Sequence, residues 1–309
     1  MNRNLRSNYL HLCLVLAWTL IFTNTQSSNA IESGKNESGS TKVVPVNVVT
    51  RVGFNAPCSG TQISPSTVVT AGHCLLDSKN KVSSTIRVGN PGSADKNTEA
   101  SYKSWTLASY VQMSDTFIKT GFTRPDDIAF LKLSKPIKMT NRIRIATPDE
   151  IEELLMTNNQ LKIFGYGLLS DKGEYAGTPS SLVGTFGNIY SNSLNQFSVL
   201  TLNSRTCEGD SGGPIYLNIE GESILVGILN GSPTAMNKHC SDMQPSGFYE
   251  QVGTFIHPYL EQAKLAGYSD NEFDSQKVIP IIIKCTKGKI IKQVSGTNPK
   301  CPTGYKKVK

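Results

Sequence analysis

The chain of 309 residues is poor in what metal- and cofactor-dependent chemistry requires. Its four histidines, His11, His73, His239 and His257, fall at no metal-ligand spacing, and no His-Glu-x-x-His run occurs. Glycine-rich phosphate cradles are absent too, so neither a metal nor a cofactor is expected. The longest apolar run, about 14 residues from Tyr9 to Phe22, falls short of the ~20 that span a bilayer as a helix. Hydrophobic residues make up 38%, enough for an ordinary core in one large domain or two smaller ones, and the composition is neither disordered nor collagen-like.

That apolar run follows Arg3 and Arg6 and precedes a polar stretch ending Ser28-Asn29-Ala30. This is the layout of a secretory signal peptide over residues 1–30, with an N-terminal membrane anchor as the competing reading, and it places the protein outside the cell. Cys13 lies in this segment, which leaves six cysteines, an even number suited to an oxidising compartment. Six cysteines allow about 15 pairings, and the count alone selects none of them.

Between residues 31 and 268 the chain reads as short strands punctuated by Gly, Pro, Asn and Ser. The clearest are Val43 to Val49, Val68 to Thr70, Ile128 to Leu133, Leu161 to Phe164 and Ile224 to Leu229, the pattern of an all-β protein. A connector helix is predicted over Pro148 to Met156, because Thr147 supplies an N-cap, proline occupies the first helical position and acids follow. A closing amphipathic helix is predicted around Val252 to Leu265, ending at Gly267. Residues 269–309 form a basic tail. From Asp270 onward nine lysines face three acids, so this segment carries +6 of the chain's +7. The tail suits an anionic surface or polymer, with a solvated appendage that aids solubility or secretion as the competing reading; it lacks the interleaved aromatics of a single-strand nucleic-acid platform, so no specific nucleic acid is expected.

Three segments carry chemistry. Cys207-Glu208-Gly209-Asp210-Ser211-Gly212-Gly213-Pro214 sets a serine in a glycine-bounded turn, upstream lie Val68-Val69-Thr70-Ala71-Gly72-His73-Cys74 and Asp126-Asp127-Ile128-Ala129-Phe130-Leu131-Lys132-Leu133, and Cys58-Ser59-Gly60 precedes the histidine segment. In this order, histidine then aspartate then serine, the chain resembles the chymotrypsin/trypsin family of serine peptidases. The resemblance implies two packed six-stranded antiparallel β-barrels with a C-terminal helix, to which the small basic tail is appended. It implies a catalytic triad of His73, Asp127 and Ser211, an oxyanion hole from the N–H groups of Gly209 and Ser211, and protein or peptide substrates; a monomer is expected. Asp127, directly before Ile128-Ala129, is the family's acid, and Asp126 is read as a solvated neighbour. The resemblance selects Cys58–Cys74 and Cys207–Cys240 as disulfides, leaving Cys285 and Cys301 to pair. It also implies that cleavage after Ala30 frees an amino group on Ile31 that folds inward to pair with Asp210.

The same resemblance maps a substrate pocket onto Arg205, Thr206, Asn230, Gly231, Ser232 and Gly247. Trypsin-like members keep an aspartate six positions before the nucleophile, where this chain has Arg205, so cleavage after Lys or Arg is not expected. The function that follows is a secreted serine endopeptidase. The alternative is a catalytically silent homologue serving as a surface-binding or adhesin module, a class that usually lacks a triad residue.

Overall fold

A computed structural model describes residues 31, 34–37, 40, 42–50, 53–54, 58–77, 79–91, 104–120, 126–139, 143–157, 159–167, 178–190, 193–219, 222–232, 247–269, 281–288, 290–296 and 300–307. The signal segment 1–30 lies outside them.

After a two-residue strand β1 (Lys35–Asn36), the first half is a sheet of β2 (Val44–Thr50), β3 (Gly53–Phe54), β4 (Cys58–Ser64), β5 (Thr67–Thr70), β6 (Ile86–Val88), β7 (Thr106–Met113) and β8 (Ala129–Leu133). Its order is β3-β2-β4-β5-β8-β7-β6, and a β2–β6 pairing closes six of these strands into a barrel. The second half holds β9 (Arg144–Ile145), β10 (Gln160–Gly165), β11 (Ser180–Tyr190), β12 (Ser193–Leu202), β13 (Pro214–Ile219), β14 (Glu222–Gly231) and β15 (Phe248–Phe255). Here the order β11-β10-β13-β14-β15-β12 is closed by a β11–β12 pairing, with β1 beside β11 and β9 parallel to β14. The fold is the all-β, two-barrel architecture expected.

The period-2 alternation of strands explains how the halves pack. On β5 and β8 one face sends Val68, Ala129, Leu131 and Leu133 into the first barrel's core. The opposite face sends Val69 and Phe130 into a separate core together with Phe164, Tyr216, Leu225 and Ile228 from the second barrel. On β14, Ile224 and Val226 fill the second barrel's own core, while Leu225 and Ile228 face the first barrel. Strands buried on both faces carry continuous apolar runs, which is why Val68-Val69 and Ile224 to Leu229 show no alternation.

Three helices are described: α1 (Asp115–Lys119), α2 (Pro148–Met156) and α3 (Leu260–Leu265). α2 has the predicted bounds and a reciprocal capping box, Glu150 N donating to Thr147 Oγ1 (3.4 Å) and Thr147 N to Glu150 Oε2 (2.9 Å). The predicted closing helix is shorter than expected. Val252 to Phe255 belong to β15, where they pair with β12 and β14, and only a 3-10 turn at His257–Tyr259 and α3 follow. Pairing on both edges of β15 outweighs the local helical pattern of that stretch. Gly267 does end the helix, with a φ of +87°. Among the described residues no helix is long and apolar enough to cross a membrane.

The tail forms a small sheet of β16 (Ile281–Lys287), β17 (Ile290–Gly296) and β18 (Lys306–Lys307), ordered β17-β16-β18. The Cys285–Cys301 disulfide closes it, and the Lys292 ammonium lies 5.3 Å from the Tyr305 ring centre.

Candidate active site

His73 sits in the 3-10 turn Gly72–Leu75 that follows β5, and Asp127 lies just ahead of β8, the neighbour of β5 in the sheet. That adjacency brings the two side chains together from 54 residues apart. Both oxygens of the Asp127 carboxylate are used on His73: Oδ2 is 2.6 Å from Nδ1, and Oδ1 accepts the backbone N–H at 2.8 Å. Asp127 is 2% exposed while the His73 side chain is 41% exposed, so the acid is sealed and the imidazole's other face opens to solvent. A side chain at Gly72 would press on the Phe117 ring at 2.6 Å and on Asp127 Oδ1 at 3.1 Å, which accounts for glycine before the histidine.

Asp126 corrects the sequence reading. It is 6% exposed, adopts a left-handed φ of +57° and hydrogen-bonds the Tyr259 hydroxyl. It is a buried partner of the segment after β15, and a one-dimensional pattern had no means of placing that segment above it.

Ser211 occupies the turn between Cys207 and Pro214, bounded by Gly209 (φ +93°) and Gly212 (φ +82°). A Cβ at Gly212 would fall 2.2 Å from both the Ser59 carbonyl oxygen and Thr70 Oγ1, so the turn lies directly against the end of the first barrel. The Cys58–Cys74 disulfide is formed, and its Cys74 sulfur is 3.8 Å from His73 Nε2 and 3.6 Å from the Ser211 carbonyl oxygen. The outer nitrogen of the imidazole and the Ser211 backbone therefore flank one sulfur atom. Cys58, Cys74 and His73 would make a plausible metal trio only as thiolates, and the two sulfurs are bonded to each other. Cys207 is also disulfide-bonded; Cys240, its expected partner, lies outside the described residues.

The Ser211 hydroxyl donates to the Asn230 carbonyl at 3.4 Å. The Asn230 side chain does not line the pocket to which the resemblance assigned it. Its amide donates to the Asp127 backbone carbonyl at 2.6 Å and its oxygen accepts from Thr254 Oγ1 at 2.6 Å, so this 5% exposed residue braces the aspartate from behind.

Asp210 is fully buried. Its Oδ1 accepts from Gly167 N and its Oδ2 from Cys207 N, both at 2.7 Å. Burial pushes its carboxyl up to about 7, against the pull of those two N–H groups. The carboxyl fills the space over Gly165 and Gly167, where added side-chain carbons would come within 2.0 and 2.6 Å. Ile31 is fully buried in the second barrel's core beside Ile163, Leu182 and Val199.

At the mapped pocket Arg205 is 3% exposed, with its guanidinium carbon 5.7 Å from the Tyr249 ring centre. Thr206 Oγ1 donates to Gln251 Oε1, and the fully buried Gln251 leaves its Nε2 with no hydrogen-bond partner among the described residues. Gln251 was missed in the sequence, although the β15 alternation puts it on the inward face with Tyr249. Ser232 Oγ is turned to the Glu250 carbonyl (2.8 Å). Gly231 (φ +133°) would place a Cβ 4.0 Å from Ser211 Oγ, while one at Gly247 (φ +118°) would meet nothing within 4 Å among the described residues.

The two barrels and the Ser-containing turn at their junction are those of a chymotrypsin-like peptidase. The Trypsin family profile matches residues 31–257, so this chain belongs to the trypsin family and carries a serine-type peptidase domain. It is 26% identical over 227 residues to vitamin K-dependent protein C of Rattus norvegicus, covering 66% of this chain and 46% of that protein. It is 26% identical over 220 residues to a trypsin of Saccharopolyspora erythraea, covering 66% and 86%. Similarity to coagulation factor IX of Oryctolagus cuniculus is 27% over 277 residues, covering 77% and 94%. The chain spans about half the length of the protein C sequences it matches.

Proposed function

We propose that the protein is a secreted serine endopeptidase in which Ser211 attacks the substrate carbonyl, His73 takes and returns the proton and Asp127 orients the imidazole. The observation that carries this is the two-point grip of Asp127 on His73, through Nδ1 at 2.6 Å and the backbone N–H at 2.8 Å. It holds the proton on Nδ1 and leaves Nε2 as a base facing the Ser211 turn. Asp127 stays ionised and stabilises the imidazolium formed as the serine hydroxyl swings from the Asn230 carbonyl to Nε2. The charge on the attacked carbonyl oxygen is received by the N–H groups of Gly209 and Ser211, and collapse of the tetrahedral intermediate expels the amine with the proton from His73. Water then hydrolyses the acyl-enzyme with His73 again as base.

Removal of residues 1–30 creates an α-ammonium on Ile31, and pairing with Asp210 gives that buried carboxylate the cation it needs to ionise. The peptidase unit covers residues 31–268. At the pocket floor, Arg205 disfavours Lys and Arg before the scissile bond and suits an acidic side chain, whose carboxylate the guanidinium would bind. The disulfide-closed tail, with its exposed lysines, tethers the enzyme to anionic surfaces.

A fluorophosphonate probe tests the central claim. The secreted protein should be labelled at Ser211 and should cleave peptides, with both lost in Ser211→Ala. An unlabelled, inactive wild type would favour the silent homologue.

A further inference from the structure

We propose that Ser59 is a positioning residue for the oxyanion hole, acting through its side-chain hydroxyl; this rests on the peptidase reading above. Ser59 lies on β4, is fully buried and belongs to none of the three segments that carry the triad. All its polar groups are committed. Its hydroxyl donates to the Gly209 carbonyl at 2.9 Å and accepts the Tyr166 N–H at 2.8 Å. Its backbone N–H donates to the Ser211 carbonyl at 2.8 Å, and its own carbonyl accepts from Thr70 Oγ1 at 2.8 Å.

The consequence is geometric. Gly209 and Ser211 supply the two N–H groups assigned to the oxyanion, and Ser59 holds the carbonyl of each. The intervening residue, Asp210, is tied down separately, its N–H donating to the Cys207 carbonyl and its carbonyl accepting the Gly213 N–H. Fixing these two carbonyls fixes the peptide plane that follows each donor residue, which restrains the Ser211 N–H lying between them and limits rotation about Gly209, whose own N–H is one peptide upstream. Gly209 adopts a φ of +93°, where glycine has no side chain to restrict its rotation, and the Gly209–Asp210 peptide is held at both ends, its N–H by the Cys207 carbonyl and its carbonyl by the Ser59 hydroxyl. The hydroxyl also joins this turn to the strand that holds Asp210, since Tyr166 N–H goes to Ser59 and the next one, Gly167 N–H, goes to the Asp210 carboxylate. One oxygen atom thus couples β4, the end of β10 and the nucleophile turn.

Without the hydroxyl, the Gly209 carbonyl and the Tyr166 N–H become buried polar groups that must move to find partners. Misplacing donors aimed at the transition state lowers turnover and leaves ground-state binding in place. For Ser59→Ala the expected result is a loss in kcat of about 10- to 100-fold with KM within about two-fold. Affinity for a peptide boronate, which forms the tetrahedral adduct at Ser211, should fall in parallel with kcat, while affinity for a product peptide should not. A residue that merely supports folding would lower the thermal midpoint and leave the kcat-to-KM split and the boronate-to-product ratio unchanged, and that outcome overturns the proposal. Should Ser59→Ala not fold, Ser59→Gly removes the same hydroxyl, and in the wild type slow hydrogen exchange at the Tyr166 amide reports the bond without substitution; fast exchange there counts against it. An inactive, unlabelled wild type overturns the peptidase reading and this proposal with it, whereas an active wild type with an equally active Ser59→Ala overturns this proposal alone.

Discussion

Freeing the amino group of Ile31 should change how stability depends on pH, and the size of the change follows from Asp210. With the residue ahead of Ile31 still attached, Asp210 is a fully buried carboxyl whose pKa is raised from 3.8 to about 7, by burial first and with two N–H groups opposing. A carboxyl whose folded pKa exceeds its unfolded one stabilises the fold fully below the unfolded value, and that contribution is lost as pH rises to the folded value. Over the roughly 3 units between them, at about 1.36 kcal/mol per unit, the unprocessed chain should lose about 4 kcal/mol between pH 4 and pH 7 and level off above. In urea, with a slope near 2 kcal/mol/M, that is a midpoint drop of about 2 M. The chain beginning at Ile31 should stay level across the same window, because the ammonium favours the ionised carboxylate and removes the reason for its raised pKa, which moves any loss of stability to below pH 4. The assay is urea unfolding of both forms from pH 4 to pH 8, with Asp210→Asn as the control in which the difference disappears. Parallel pH profiles for the two forms would refute the pairing, as would a difference that survives in Asp210→Asn.

Other consequences are simpler to read. Ser211→Ala should lose all turnover with an unchanged thermal midpoint, since the hydroxyl makes one 3.4 Å bond to the Asn230 carbonyl; residual activity in purified variant would contradict its role. Asn230→Ala should lose about 1–3 kcal/mol of stability, because the Asp127 carbonyl and Thr254 hydroxyl lose their buried partner, and its kcat should fall as the aspartate loosens; denaturant titration and steady-state kinetics measure the two effects. A peptide-library cleavage profile should show acidic residues before the scissile bond and no Lys or Arg, and Arg205→Ala should erase the acidic preference. Deleting residues 270–309 should abolish retention on anionic polymer beads and leave cleavage of small peptides intact.

Much of the site is legible in one dimension because its segments are short and chemically constrained. Glycine at 209 and 212 is needed where φ is positive, and Gly72 leaves no room for a side chain beside Asp127, so these positions mark the turns in the sequence itself. The Thr147-Pro148-Asp149-Glu150 start of α2 is equally local, because the capping box closes within four residues. Residues whose roles come from across the fold were misread or missed. Asp126 looked like a surface acid until the Tyr259 segment covered it. Asn230 stood where a pocket wall was expected, yet its side chain turns to Asp127, 103 residues away. Val252 to Phe255 carry a helical pattern that two neighbouring strands override.

The sequence by itself determined the family, the all-β class, the six cysteines of the chain after residue 30 and the glycine-bounded serine turn, since each depends on residue type and local spacing. Tertiary structure alone decided what stands behind those residues: the Asn230 brace on Asp127, the burial of Asp210 with two backbone N–H groups on its carboxyl, and the Ser59 hydroxyl shared between Gly209 and Tyr166. The physical reason is that a polar group's role depends on the partners it meets once water is excluded. Here those partners come from strands that are distant along the chain and adjacent in the barrels.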